Sequence, residues 1–491
     1  MADTLSVLIG GTNGARISLD ASMANRHGII SGATGTGKTV TLQILAEGFS
    51  RIGVPVFMAD AKGDLSGIAA PGNPNPKITK RVQQIGLDDY RPHPFPTLFW
   101  DVFGNSGHPI RTTLSDMGPL LLGNLLELND AQSGVLYSCF KLADDQGMLL
   151  LDLKDLRAML QWMSDNASAL KTDYGNIFPS SVGAIQRCLL VLEEQGADRF
   201  FGEPALNLND LMHTDFSGNG VVSLLDASDL LSKSPRLYAT LLLWLLSEIF
   251  ENLPEVGDAS RPRLVLFFDE AHLLFDGTPK ALVDKIKQVV RLIRSKGVGI
   301  FFITQSPLDV PEEILGQLGL RIQHALRAFT PKDRRTVKTV AETFRQNPAI
   351  DTLETVTSMG IGEALVSFLD RTGAPTPVER VLIRPPESKI GPIDTEKKGE
   401  ALQRSPVKGK YDESVDRESA YELLKQRAER AATVESEIRT RGAGRKTQRA
   451  PRRGRESAGE AFLKSAARAV GSQIGRQLIR GIMGSLLGSR R

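Results

Sequence analysis

Cysteine is nearly absent: Cys139 and Cys188 are the only two in 491 residues. Two thiols without paired spacing build neither a disulfide framework nor a zinc site. Both fall in apolar stretches of helical pattern, the setting of buried structural thiols in a reducing compartment. A long apolar run is missing as well. The longest, Leu237 through Phe250, is interrupted by Thr240, Ser247 and Glu248. It falls short of the ~20 residues that span a bilayer and reads as a buried helix. Met1 to Leu5 carries an acid and no basic stretch, which argues against a secretory signal. A cytoplasmic protein is the expectation. No internal repeat is evident.

Acidic residues are scarce in the last part of the chain. Residues 439–491 hold fourteen basic residues, opposed only by Glu456 and Glu460, a net +12. The whole chain carries +3, so the preceding 438 residues carry −9. Overall charge therefore says nothing about polyanion binding by the body, and any electrostatic case for nucleic acid rests on the tail. A hydrophobic fraction of 41% and a charged fraction of 24% place the rest among globular proteins.

What is present begins with "GATGTGKT", residues 32–39. Gly32, Ala33, Thr34, Gly35, Thr36, Gly37, Lys38 and Thr39 fit the phosphate-loop pattern, with apolar Ile29-Ile30 before and an apolar-periodic run after. That is the strand, loop and helix setting the motif requires. The glycines let successive N–H groups turn toward phosphate oxygens, and the helix beginning near Lys38 adds its positive end. Lys38 is expected to reach the β- and γ-phosphates of ATP, and the Thr39 hydroxyl to ligate Mg²⁺.

Hydrolysis needs a metal-shell acid and a group that activates water. The apolar stretch "LVLFFDE" ends in Asp269 and Glu270, placed for those two tasks. Gln305 ends the buried stretch "VGIFFITQ" and is a candidate γ-phosphate sensor. Asp60, Lys62 and Asp64 in "ADAKGDLSG" end a strand expected beside the phosphate loop, where parallel sheets bind ligands. A cation from a neighbouring subunit would stabilise the departing γ-phosphate, with Arg291, Arg294 and Arg321 as candidates. His27 is expected to be structural.

Strands alternating with helices imply an α/β fold with a mostly parallel sheet and right-handed crossovers. The spacing predicts an N-terminal β-hairpin over 1–20, a first core segment over 21–110, a helical insertion over 111–215 and a second core segment over 216–386. Residues 71–96, rich in proline, read as an extended surface crossing. Residues 387–460 read as a charged linker with a disordered basic run, and 461–491 as a glycine-spaced basic amphipathic helix.

"GATGTGKT", "DAKGD", "LVLFFDEAH" and "ITQSP", in this order, resemble the HerA/FtsK superfamily of P-loop ATPases that carry an additional strand in the sheet. "GVPVFMADAKGDLSG" and "GLRIQHALRAFTPKDRR" are most similar to its YjgR-like bacterial family. The resemblance implies a RecA-like core, a homo-hexameric ring and ATP turnover at subunit interfaces. It assigns Lys38 and Thr39 to phosphate and Mg²⁺, Asp269 and Glu270 to metal and water, and Gln305 to sensing. HerA relatives dock a nuclease through an N-terminal barrel; only about thirty residues precede the loop here, so a nuclease partner is not expected. Two readings follow. One is a DNA translocase or helicase, with Lys332, Arg334 and Arg335 as pore contacts. The other is an oligomeric ATPase that remodels or scaffolds protein, held by its basic tail at an anionic membrane surface.

Overall fold

The computed structural model describes residues 5–443, apart from residues 13, 258 and 279. The expected basic run beyond residue 443 and the glycine-spaced helix lie outside the described residues. Two compact units are formed, one by Met1–Thr112 with Glu193–Val415, the other by Thr113–Leu192 with the described residues from Asp416.

Twelve strands of the first unit share one sheet: β1 (Ser6–Thr12), β2 (Ala15–Asp20), β3 (Gly28–Ser31), β4 (Val56–Asp60), β5 (Thr97–Asp101), β6 (His108–Pro109), β7 (Val222–Asp226), β8 (Leu264–Phe268), β9 (Val298–Thr304), β10 (Leu320–His324), β11 (Glu363–Ser367) and β12 (Glu379–Ile383). Their spatial order is β2-β1-β12-β11-β10-β3-β9-β8-β4-β7-β5-β6. Every pairing from β10 through β6 is parallel. The other flank, β2 to β11, is antiparallel. This is the α/β, mostly parallel architecture expected of the sequence. In β4, β8 and β9 nearly every residue is apolar and all are buried, as strands covered on both faces must be.

The order corrects one expectation. The strand ending in Asp60 is not beside the phosphate-loop strand: β9 and β8 separate β3 from β4. Apolar composition marks a strand as buried but does not rank it among equally buried neighbours. The crossing over 71–96 is corrected too, because Pro76–Ile85 is a helix. Asn75 accepts from the N–H groups of Lys77 and Ile78, Pro76 takes the first helical position and Gly86 ends it with φ 74°.

The helix Lys38–Arg51 packs Phe49 against Phe267 of β8 and Phe301 of β9, with ring centroids 6.4 and 6.0 Å away. Its Gln43, Glu47 and Arg51 recur every four residues and so share one face. That face grips the segment after β12. Glu47 is fully buried and accepts from Arg384 Nη2 at 2.9 Å, Ser388 N at 2.9 Å, Ser388 Oγ at 2.6 Å and Glu387 N at 3.1 Å. Gln43 donates to Ser388 Oγ at 2.6 Å and to the Lys389 carbonyl at 3.0 Å, and Arg51 pairs with Glu387. Residues 387–415, charged in composition, thus belong to the first compact unit.

In the second unit, helices Leu114–Leu125, Asp130–Asp145 and Leu153–Asp165 are joined by Ala420–Ala443. Buried Asp155 accepts from Leu151 N at 2.8 Å and Tyr421 N at 2.9 Å, and from Ser419 Oγ, fixing where the last helix starts. Among the described residues no helix is long and apolar enough to cross a membrane.

Glu47→Ala would leave the Arg384 guanidinium buried beside an unfilled space. A loss on the order of 3 kcal/mol in unfolding free energy is expected, as for other broken buried pairs. Arg51→Ala, on the half-exposed side of the same network, should cost under about 1 kcal/mol. Urea unfolding of the two variants checks the ranking; equal losses would contradict it.

Candidate functional site

The phosphate loop leaves β3 and runs into the helix that begins at Lys38. Gly32 (φ 150°) and Gly37 (φ 117°) adopt backbone conformations that side chains rarely take. A Cβ on Gly32 would stand 2.5 Å from the Cβ of His324, so this position admits only glycine. The loop is braced from the end of β10 and the start of β11: Ala33 N donates to the Ala325 carbonyl at 2.9 Å, and Gly362 N to the Thr36 carbonyl at 3.0 Å. Arg81, on the helix 76–85, donates to the Gly362 carbonyl at 2.7 Å and steadies that second brace.

His324 lies beneath the loop and is fully buried. Its Nδ1 faces the Glu363 carbonyl at 2.9 Å and therefore carries the proton, while Nε2 accepts from Thr41 Oγ1 at 2.8 Å. Burial drives its pKa down to about 4, and the Lys38 charge adds to that. The sequence reading missed His324 and Thr41. The available signal was a lone histidine inside the otherwise strand-like "RIQHALRAF". His27, just before β3, is structural as expected: its ring bridges the Val290 carbonyl at 2.8 Å and the Ile300 N–H at 3.1 Å, and burial holds its pKa at about 4.

Lys38 folds back over its loop and donates to the Gly32 carbonyl at 2.6 Å and the Ala33 carbonyl at 3.2 Å. Its pKa is lowered by burial first and by Lys62 second, while Glu270 and Asp269 act in the opposite direction. The loop lysine, the second lysine and the two acids thus share one electrostatic neighbourhood. Thr39 is half-buried at the start of the helix.

Four parallel strands lead into an aspartate, and the hydrogen bonds separate their roles. Asp60 accepts from the N–H groups of Lys62, Gly63 and Leu65 at 3.1, 2.8 and 2.9 Å. Asp101 accepts from Phe103, Asn105 and Ser106 at 3.0, 2.6 and 3.0 Å. Asp226 accepts from the backbone and hydroxyl of Ser228, from Ser106 Oγ and from Lys398. Each shapes the turn that follows it. Among the described residues, Asp269 accepts from a single backbone group, Glu270 N, at 3.0 Å. Its carbonyl is held by the buried Tyr238 hydroxyl at 2.7 Å, from the helix Pro235–Asn252. Burial, and then the neighbouring Glu270, push the Asp269 carboxyl up to about 7. A buried carboxyl with so little local compensation would gain from a nearby cation, which favours its ionised form.

That donor set fits magnesium. No group of three or more His, Cys, Asp or Glu side chains among the described residues forms a self-contained metal cage. Two hard oxygens, from Thr39 and Asp269, suit an ion that takes its remaining ligands from phosphate and water.

Glu270 follows in left-handed backbone geometry, φ 49° and ψ 46°. Its carboxylate lies 3.6 Å from Lys62 Nζ and 3.4 Å from His272 Nδ1. Gln305, exposed, directly follows β9, the strand between the loop strand and the Asp269 strand. Parallel register gathers all these tips at one edge, since Ile30 pairs with Ile303 and Phe302 with Phe268.

Arg294 and Arg321 are not brought to this edge. Arg321 sits near the start of β10 and donates to the carbonyls of Leu318, Thr343 and Leu315 at 3.3, 3.0 and 3.4 Å. Burial lowers its pKa. Arg294 precedes β9. Both line a cavity of about 540 Å³ at the opposite strand ends, together with Arg26, His27, Arg291 and Arg345.

A family model described as helicase HerA-like C-terminal matches residues 6–491. No curated protein shows a significant sequence match. Solved structures share the fold at low identity. The bacterial conjugative coupling protein TrwBΔN70 aligns at 14% identity and a TM-score of 0.51 over 78% of this chain and 89% of that one. The plasmid coupling protein TrwB in complex with the GTP analogue GDPNP gives 15% and 0.50 over 78% and 90%. TrwB with ADP and Mg²⁺ gives 14% and 0.50 over 76% and 90%.

Two predictions follow from this geometry. Lys38→Ala should weaken nucleotide binding, whereas Glu270→Gln should preserve binding and slow turnover on the order of 10²-fold, as expected of a carboxylate that would act on water in the transition state. Nucleotide titration and steady-state hydrolysis check both, and unchanged turnover in Glu270→Gln would remove it from the site.

The second concerns pH. The His324 pKa is depressed in the fold, so the stability it contributes is complete above its ordinary 6.5 and is lost as pH falls through about 4. The Asp60 carboxyl is raised by burial to about 6, so its contribution has the opposite sign and grows as pH falls toward its ordinary 3.8. Between pH 7 and 4.5 the stability cost of His324→Asn should therefore shrink while that of Asp60→Asn grows, each by roughly 2 kcal/mol. Denaturant unfolding across that range reads both signs.

Proposed function

The chain belongs to the helicase HerA-like C-terminal family, and on that premise we propose an ATP-hydrolysing motor that acts on DNA as a ring of six identical subunits. ATP is the substrate and Mg²⁺ its companion ion. The observation that carries this reading is the convergence of Lys38, Thr39, Asp269, Glu270 and Gln305 on one edge of the sheet, with β9 inserted between the loop strand and the acid-bearing strand.

In this reading the loop N–H groups and Lys38 hold the β- and γ-phosphates, and Thr39 and Asp269 would hold the ion. Bound there, Mg²⁺ neutralises charge on the phosphate oxygens. Glu270 orients a water and accepts its proton as the water oxygen bonds to the γ-phosphorus. The bond from that phosphorus to the bridging oxygen breaks, its electron pair stays with ADP, and the proton passes on to the released phosphate. Gln305 senses the γ-phosphate from the tip of β9. The cation that meets the departing phosphoryl group comes from the next subunit. Arg294 and Arg321 remain the candidates for that cation, and Arg321 would first have to leave the three carbonyls of its own chain to which it donates.

DNA enters through the family and through the net +12 of residues 439–491. The "TPKDRR" stretch opens the helix Pro331–Glu342 and leaves Arg334 and Arg335 exposed, which suits phosphate contacts. The −9 of the body favours a second reading, an oligomeric ATPase that remodels or scaffolds protein at an anionic membrane surface.

ATPase rates with double-stranded, single-stranded and no DNA, on the full chain and on one lacking residues 439–491, separate the two. The motor reading expects DNA to raise the rate, and the deletion to flatten the salt dependence of DNA binding while leaving basal hydrolysis within about threefold. Hydrolysis indifferent to every polynucleotide but raised by anionic vesicles would favour the second reading.

A further inference from the structure

Lys62 has no part in the reaction as set out above, yet its surroundings are specific. It stands in "DAKGD", the turn folded by buried Asp60, whose carboxylate fixes the backbone of Lys62, Gly63 and Leu65. The base of the side chain is thus held while its tip keeps room to move: Lys62 is 44% exposed. β4 pairs in parallel with β8, which sets Lys62 beside the acid corner. There Nζ lies 3.6 Å from Glu270 Oε1. The Lys62 charge also acts on Lys38, so the two ammonium groups share the edge at which the loop lysine would meet phosphate.

Glu270 is not at rest in this arrangement. A left-handed backbone on a non-glycine residue is strained and persists only when neighbours enforce it. Lys62 and His272 flank its carboxylate on two sides. A carboxylate paired with an ammonium is held by it rather than turned toward a water. Drawing Lys62 away would free that carboxylate to turn to a water.

We propose that Lys62 alternates between Glu270 and the γ-phosphate of bound nucleotide, so that arrival of the γ-phosphate releases Glu270 for catalysis. A terminal phosphate carries more negative charge than one carboxylate and offers three oxygens, so it outcompetes Glu270 for the ammonium. ADP lacks those oxygens and leaves the pair intact. The proposal rests on the chain being an ATP hydrolase, and it adds a residue that distinguishes triphosphate from diphosphate.

The test uses the full-length protein with Lys62→Ala, Lys62→Arg, Glu270→Gln and the Lys62→Ala/Glu270→Gln double variant. Mg²⁺-dependent affinities for ATPγS and ADP are measured beside kcat and KM, with thermal unfolding as a folding control. Lys62→Ala should weaken ATPγS about tenfold while ADP affinity stays within about twofold, and kcat should fall by about tenfold or more. Lys62→Arg should restore much of the ATPγS preference. In the Glu270→Gln background the further loss of kcat should be much smaller, since the two residues act as a unit. Equal weakening of ATPγS and ADP, an unchanged preference, or additive losses in kcat would each overturn the proposal. Wild-type protein without hydrolysis would instead overturn the ATPase reading beneath it, so the two failures are told apart.

Discussion

Parallel register across β3, β9 and β8 is the constraint on which the site depends. Ile30 opposite Ile303 and Phe302 opposite Phe268 bring three strand tips level. The phosphate loop, Gln305 and the Asp269-Glu270 corner then open onto one edge without a long insertion from any of them. Parallel strands permit this only if their connections cross over outside the sheet, which buries both faces. The stack of Phe267 on Phe301, 5.1 Å between centroids, with Phe49 of the loop helix against both, fills one of those faces. A slip of one residue in β9 would move Phe301 to the other face and carry Gln305 out of line.

The chemistry is placed against the cost of burying charge. Asp60, Asp269 and Lys38 are each shifted by desolvation toward their neutral forms, and each is compensated differently. Asp60 receives three backbone N–H groups and becomes part of the fold. Lys38 receives carbonyls of its own loop, partners that a nucleotide phosphate would replace with stronger ones. Asp269 receives least, and so has most to gain from a cation. The residue with the least local compensation is the one the reaction would use.

The phosphate loop, the buried strands and the acid pair were legible because their signals are local: fixed glycine spacing and unbroken apolar runs. Strand order was not, since β4, β8 and β9 are equally apolar and nothing in their composition says that β9 separates β3 from β8. The helix at 76–85 was legible in "NPNPK" and the following Gly86, but proline density there suggested an extended path. Residues 387–415 looked like a linker because Glu387 and Ser388 are polar; their burial against Gln43, Glu47 and Arg51 is a long-range pairing that no window of sequence contains. His324 was missed for the same reason, its partners Thr41 and Glu363 lying 283 and 39 residues away. Of the four strand-end aspartates, Asp60 and Asp101 are cradled by backbone N–H groups and Asp226 by side chains as well, whereas Asp269 accepts only from Glu270 N among the described residues.

The distribution of charge over the sheet bears on the proposed ring. At the strand ends stand Asp60, Asp269 and Glu270, set among Lys38 and Lys62. At the strand starts the cavity holds Arg26, Arg291, Arg294, Arg321 and Arg345, with no acid in its lining. Guanidinium groups are planar donors matched to phosphate oxygens, and Arg321 and Arg345 here donate to backbone carbonyls of their own chain. A head-to-tail arrangement would set the arginine-bearing strand starts of one subunit against the phosphate-binding strand ends of the next. Contacts of that heterologous kind close into a ring when the rotation allows. In the proposed ring, a triphosphate at such a junction would meet guanidinium groups on its far side.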